Sequence, residues 1–549
     1  MKFMNNREFK IFLTFFLIYF YFIMWDGWNE DSGFALTRAI VEEKRFEIDS
    51  FANYTGDRIF YENHYYSTKF PGEPFLATPI YATFQSIYSA LPSNFTNQYS
   101  EDNIIEKYYA TFPYNEKIEF EYKPNPGALI LISMILVTVF TSSFFSAMST
   151  VLIYKISKYF SQEEKNRLSL TIAYGLATLI FPNALVFTGF GTSTFFIFLS
   201  FFLLFKMKNT KIESDKYFIL SGLFFGFAFI IRQQLILIAI IYLIYLFSIK
   251  KEKIPLFLMG ALIAIIPYLI YDYITIPKNM VNLRFSPWSQ IVEQFLINPS
   301  WMLFWLLPYK GLFFYHPIFF FCFLSFYFMY KKFKVESIIF ILISSILIIF
   351  SNILWLFEMP LGASFGIRFL TTLSPFLIIP FIYFIQKFGL RIAWIIIAIG
   401  IFINFLGLQN YDGPGTYGYN LWVENMELRN RISSLEINPL VDYYLPLFLE
   451  HGPRSRIFEG VLAGKVPDIR AFGQFDKFEY RNIPIYKFNG LEIQLVTKFL
   501  CLVPLFLLIF LIWKKELMNL IKSKIKWMNE KIFLLIFLLI SLVLFVRIY

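Results

Sequence analysis

Charge is what this 549-residue chain lacks: Asp, Glu, Lys and Arg make up 16% of it, against roughly a quarter in an ordinary soluble domain, while 57% is hydrophobic. That balance excludes a soluble globular protein of this length and points to a polytopic membrane protein. Cysteine is nearly absent. The two present, Cys322 and Cys501, sit in apolar runs, which excludes a disulfide framework and a cysteine metal site. Carboxylate chains are missing from inside the apolar runs, which speaks against a proton-coupled pump. No internal repeat is visible. The formal charge of +10 does not indicate nucleic acid, because Lys and Arg fall in short clusters between apolar runs, as membrane orientation requires. Phenylalanine is abundant (72 residues), but beside so much Ile, Lys and Asn it reads as compositional bias, serving lipid contact and packing.

What is present is a regular succession of apolar segments. The first runs from Phe9 to Met24 and twelve more fall between Ala128 and Val546, so the expected fold is an all-α polytopic membrane protein with about thirteen transmembrane helices. With that count the clusters Lys155/Lys158/Lys165/Arg167, Lys206/Lys208/Lys211/Lys216, Lys250/Lys251/Lys253, Lys331/Lys332/Lys334 and Lys387/Arg391 all land on one side, the cytoplasmic side, with the N-terminus. Residues 1–408 then form the main membrane region, with a first outer loop at 26–126. An extracytoplasmic segment follows at 409–495, and two C-terminal spans at 496–549. Glu73 to Leu91 is apolar but broken by prolines, and is expected as an interfacial helix rather than a crossing.

Polarity gathers in one stretch, Trp25 to Leu76. It holds an acidic cluster (Asp26, Glu30, Asp31), a second acidic pair (Asp49, Asp57), and the run His64-Tyr65-Tyr66-Ser67-Thr68-Lys69-Phe70-Pro71-Gly72. Arg368 stands at the mouth of a later span. Acids, a lysine, tyrosines and an arginine at one membrane surface suit a reaction on an amphiphile with its tail in lipid and an anionic headgroup. A carboxylate takes a proton from an attacking hydroxyl, while cations and hydroxyls neutralise a departing phosphate. A divalent metal held by the carboxylates fits the same chemistry, although no ligand set is readable. Each residue also has a structural reading. Glu30 and Asp31 suit the N-terminus of a helix over Gly33 to Glu43. Asp26 suits an interfacial anchor, and Asp49 and Asp57 suit turns. Lys69 suits a snorkelling side chain, Arg232 an end anchor, His64 a surface hydrogen bond, and Arg454 with Arg456 a solvated basic turn.

The stretches Asn29-Glu30-Asp31-Ser32, Phe34-Ala35-Leu36-Thr37-Arg38-Ala39-Ile40-Val41, Ile48-Asp49, Thr55-Gly56-Asp57-Arg58 and His64 to Gly72 resemble the first outer loop of C-type membrane glycosyltransferases. Within that superfamily they are similar to the bacterial and archaeal proteins related to protein O-mannosyltransferases and the lipid A aminoarabinose transferase. Gly362-Ala363-Ser364-Phe365-Gly366-Ile367-Arg368-Phe369 and Lys310-Gly311-Leu312-Phe313 resemble later motifs of the group. The resemblance implies inverting transfer of a sugar from a polyprenyl-phosphate donor to a protein, lipid or glycan acceptor, with no nucleotide sugar and no certain cofactor. It implies a catalytic base at Asp31 or Glu30, and donor-phosphate contacts from Lys69, Tyr65, Tyr66 and Arg368. This chain has Glu-Asp-Ser-Gly where the clearest family form has adjacent acids or an Asn-x-x-Ser-Arg pattern, and Phe70 stands where many relatives carry a small residue or proline. A transporter or flippase of lipid-linked glycans, or a polymerase or ligase of them, is the alternative.

Overall fold

A computed structural model of the chain describes residues 4–25, 27–91, 106–112, 116–122, 127–210, 214–275, 311–357, 364–408, 438, 440–462, 464, 466–467, 469, 487–488, 491–492 and 501–524. The architecture is helical, with three two-stranded antiparallel ladders among the described residues. Five helical runs there are long and apolar enough to cross a membrane: Ala128–Ser157, Phe190–Thr210, Gln233–Thr275, Lys334–Ser351 and Leu390–Gly407. A sixth would pair Arg368–Ile378 with Phe381–Phe388 across a 50° bend. Pro380 sits at that bend, where a ring in place of an N–H prevents the helix from continuing straight. The run Gln233–Thr275 is interrupted at Lys250, whose extended backbone (φ −158°, ψ 92°) leads into a single tight turn before Ile254–Thr275 resumes.

The first helix, α1 (Asn6–Tyr21), starts on a capping box: Asn5 Oδ1 accepts from the Glu8 N–H at 2.9 Å and Glu8 Oε2 from the Asn5 N–H at 3.1 Å. Glu8 is buried and also accepts from Lys158 at 2.8 Å, with Lys155 at 3.6 Å, fastening the start of α1 to the end of Ala128–Ser157. Lys208 reaches Glu336 at 2.6 Å and Lys253 reaches Asp215 at 2.5 Å, so other basic clusters also pair with acids that begin neighbouring helices. Each contact ties a basic cluster to the start of a neighbouring helix. Arg232 closes the helix Asp215–Ile231 at its other end, a helix length of about 25 Å away.

Two further features fit a bilayer as solvent. Ile254–Thr275 presents Leu258, Leu262, Ile266, Leu269 and Tyr273 outward, all strongly exposed, while its Gly260 meets the Ile219 carbonyl of Asp215–Ile231 so closely that a Cβ would not fit. Gly222 and Gly226 return the contact against Phe257 and Ala261, the small-residue packing that lets two helix backbones touch. Buried hydroxyls on Ala128–Ser157, such as Thr138, Ser149 and Thr150, donate to carbonyls of their own helix, so they satisfy themselves without lining a path.

The expected helix over Gly33 to Glu43 begins earlier. The second helix, α2 (Trp28–Arg38), follows Gly27, whose φ of +125° makes the break that an L side chain would resist, and a wider turn carries it on to Glu43. Glu30 and Asp31 therefore lie in its first turn, not at its cap, where the helix dipole favours them. The expected interfacial segment is also helical: α3 (Gly72–Ser89), with Pro79 inside it.

Candidate functional site

Between α2 and α3 the chain forms an antiparallel hairpin, β1 (Arg58–Tyr61) and β2 (His64–Ser67), with Ile59 opposite Tyr66 and Phe60 opposite Tyr65. Side chains alternate along a strand, so the adjacent tyrosines part company. Tyr66 lines a cleft with Ile59, Tyr61 and Lys69 against Tyr268 and Asp272 of Ile254–Thr275. Tyr65 turns the other way, against the Phe60 ring (4.9 Å) and under the Arg58 guanidinium (4.7 Å). Burial and the nearby acids Glu47 and Asp49 hold the Tyr66 hydroxyl above its ordinary pKa, so it stays a neutral donor.

Asp49 sets the hairpin's register. Its Oδ1 accepts from the Tyr65 N–H at 2.6 Å and its Oδ2 lies 2.7 Å from His64 Nδ1. Asp49 thus pins the hairpin from a distance rather than fixing a local turn, and His64 makes its hydrogen bond at the surface. Asp57 goes further than a turn: its Oδ2 pairs with Lys69 Nζ at 2.5 Å, and its carbonyl accepts from Ser32 (2.6 Å) and Thr68 (3.1 Å). Ser32 also bonds Ser67 at 2.8 Å, and Ser67 in turn accepts from the Lys69 N–H at 3.1 Å. One face of α2 thus sets the backbone and, through Asp57, the ammonium of Lys69.

Lys69 and Phe70 also line a second cleft, with Asn29, Gly33, Glu73, Pro74, Phe187, Thr188, Ile231 and Arg232. Arg232 is only 9% exposed and its guanidinium stacks 3.7 Å above the Phe190 ring. Phe190 meets Phe369 edge-on at 5.4 Å, and Arg368 lies over Phe369 at 5.9 Å. With the Asn29 amide oriented to present its oxygen, both terminal nitrogens of Arg368 reach it at 3.1 Å. Lys69 and Arg232 therefore line one cleft with Asn29, and Arg368, from a third part of the chain, bonds that asparagine. The residues after Asn29 are Glu30, fully buried, and Asp31, 7% exposed with Oδ1 accepting from the Trp25 indole at 2.8 Å. Trp25 stacks on Phe187, which lines the cleft.

Asp26, and Glu358, an acid ten residues before Arg368 that could pair with it structurally, lie outside the described residues. The solvated basic turn expected at Arg454 and Arg456 is instead buried. Arg454 grips Glu459 with two hydrogen bonds of 2.9 and 2.8 Å, and Ser455 donates to the Tyr21 carbonyl at 2.6 Å, so this segment packs on the end of α1. Among the described residues no cluster of three or more His, Cys, Asp or Glu could hold a metal.

Two cleft residues escaped the sequence reading. Arg232 passed for an end anchor. Glu73 passed for part of an apolar helix, although an acid between Gly72 and Pro74 was the signal. Glu73 is 4% exposed, and its Oε1 accepts from Ser142 and Thr192 at 3.0 Å each. Burial raises its pKa above the ordinary carboxyl value, opposed by those hydroxyls and by the charge of Arg232.

No family model matches the chain, and a search of curated proteins finds no match either.

Proposed function

We propose that the chain is a membrane glycosyltransferase of the C-type, moving a sugar from a polyprenyl-phosphate donor to a protein, lipid or glycan acceptor with inversion. The observation that carries this reading is the cleft that Lys69 and Arg232 line with Asn29, which Arg368 also grips, one residue from the Glu30-Asp31 pair. Cations held by aromatic faces and by a hydrogen-bonded hairpin keep their geometry without a ligand, as preorganised stabilisation of a departing phosphate requires. In this reading the chain crosses the plasma membrane about thirteen times. The basic end of the bundle and the N-terminus face the cytoplasm, and the cleft faces out. Carriage of the donor tail in lipid fits the outward apolar face of Ile254–Thr275, whose Tyr268 and Asp272 line the Lys69 cleft.

In the reaction, a carboxylate of Glu30 or Asp31 takes the proton of the acceptor hydroxyl as its oxygen bonds to the anomeric carbon. The bond from that carbon to the phosphate oxygen breaks, leaving its electron pair on the phosphate, where Lys69, Arg232 and Arg368 offset the charge. Asp57 keeps Lys69 in place until phosphate arrives, and the ammonium has donors for both. Transport of a lipid-linked glycan would call for charged or polar groups along the whole length of the spans; Thr138, Ser149 and Thr150 there donate to carbonyls of their own helix, while Ser142 and Thr192 turn to Glu73 at the cleft.

Asp31→Asn and Glu30→Gln test the reading. One of the two is expected to lower sugar transfer by about 10²- to 10⁴-fold, the scale of a lost general base, with expression and membrane insertion unchanged. Full transfer in both would remove the base assignment. Lys69→Ala is expected to raise the half-saturating donor concentration about tenfold. The ion pair it breaks is a quarter to a third exposed, so melting should shift by less than about 1 kcal/mol. Unaltered donor dependence would return Lys69 to an anchoring role.

A further inference from the structure

We propose that Glu73 is a hydrogen-bonding subsite for a hydroxyl of the unit carried on the lipid phosphate, so that it reads the transferred group and not the phosphate. The inference rests on the lipid-phosphate reading above. Glu73 belongs to the first turn of α3 and is buried, yet only one of its carboxyl oxygens is absorbed by the fold. Ser142 and Thr192 both donate to Oε1, while Oε2 has no hydrogen-bond partner among the described residues. Thr141 also acts on the Glu73 carboxyl, but its hydroxyl proton goes to the Val137 carbonyl at 2.5 Å. A buried carboxyl oxygen left without a partner costs about 1–3 kcal/mol, so the position calls for a group that the chain itself does not supply.

The geometry of the wall favours a ligand there. Gly189, in the left-handed region at φ +74°, passes the carboxyl with a bare Cα; a Cβ at this position would stand 3.6 Å from Glu73 Oε2 and 2.8 Å from the Ile231 side chain. Lys69 and Arg232 line the same cleft, which decides the ligand's chemistry. An ammonium or metal ion would meet two cations. A second anion would meet a carboxyl in a site that already has one negative guest. A neutral hydroxyl suits both forms of Glu73, donating to Oε2 when the carboxyl is ionised and accepting from it when protonated. The cleft is thus divided between cations for the phosphate and a carboxyl for the polyol attached to it.

The test measures binding of polyprenyl phosphate, polyprenyl-phosphate mannose and polyprenyl-phosphate glucose to the full-length protein in lipid nanodiscs. Wild type, Glu73→Gln and Glu73→Ala are compared. Wild type is expected to bind at least one sugar-bearing lipid tenfold or more tightly than polyprenyl phosphate. Glu73→Ala should lose that advantage while binding polyprenyl phosphate within threefold of wild type, and Glu73→Gln, which offers both a donor and an acceptor, should keep most of it. An undiminished advantage in Glu73→Ala overturns the subsite, and so does equal binding of all three lipids by wild type, which leaves the phosphate reading standing. Failure of wild type to bind any of the three overturns both. If Glu73→Ala does not fold, wild type with singly deoxygenated sugar lipids answers the same question: loss of one particular hydroxyl should remove the advantage that Glu73→Gln retains, and indifference to every hydroxyl overturns the subsite.

Discussion

Arg232→Met should weaken binding of polyprenyl phosphate by about 10- to 100-fold, the effect of losing a charge-assisted hydrogen bond worth about 1.5–3 kcal/mol. The guanidinium is buried against Phe190 and lines the cleft with Lys69 and Glu73. Methionine keeps an unbranched apolar stem over the ring and removes the charge with its N–H donors. Arg232→Lys is expected to recover part of the loss, since an ammonium restores charge but not the flat stacking of a guanidinium. The measurement is lipid titration against the purified protein. Binding unchanged in a folded Arg232→Met protein would return Arg232 to an end anchor and leave the phosphate to Lys69 and Arg368.

Gly72→Ala is expected to be the costliest small substitution near the site. The added Cβ would lie 2.6 Å from the carbonyl carbon and oxygen of Ile230 and from the nitrogen of Ile231, all backbone atoms that have nowhere to go. The start of α3 would have to back away from the end of Asp215–Ile231, at about 1–3 kcal/mol of overpacking strain. Because Glu73 and Arg232 are the next residues on either side of that contact, the cleft would open with it. Thermal melting and lipid titration should therefore fall together. Gly33→Ala makes the control on the same cleft, since its Cβ would meet only ordinary contacts at 3.5 Å or more from Phe187 and Pro74. An unchanged melting temperature in Gly72→Ala would mean that the two helices do not meet here.

The helical class and the polar stretch from Trp25 to Leu76 were legible in the sequence, because apolar length and the lack of charge are properties of the chain alone. Where the sequence reading stopped, the missing information was a long-range contact. Lys69 and Asp57 look like independent residues until the hairpin folds them to 2.5 Å. Tyr65 and Tyr66 read as a pair, yet the two-residue period of a strand sends them to opposite faces. Arg232 acquires its meaning from Phe190 and Glu73, which lie 42 and 159 residues earlier in the chain. Arg454 looked solvated because its local sequence is basic and turn-like. The fold buries it with Glu459, five residues on, where a paired charge is tolerable and a lone one is not.

The most direct measurement is release of free polyprenyl phosphate from a panel of polyprenyl-phosphate monosaccharides by the purified protein, with a membrane extract supplying acceptors. Wild type should release it from at least one donor, while Asp31→Asn or Glu30→Gln should release little or none, and Arg232→Met should need about 10- to 100-fold more donor. Binding of those lipids without release from any donor would contradict the transfer reaction and leave movement of the lipid between leaflets as the activity to assay in vesicles.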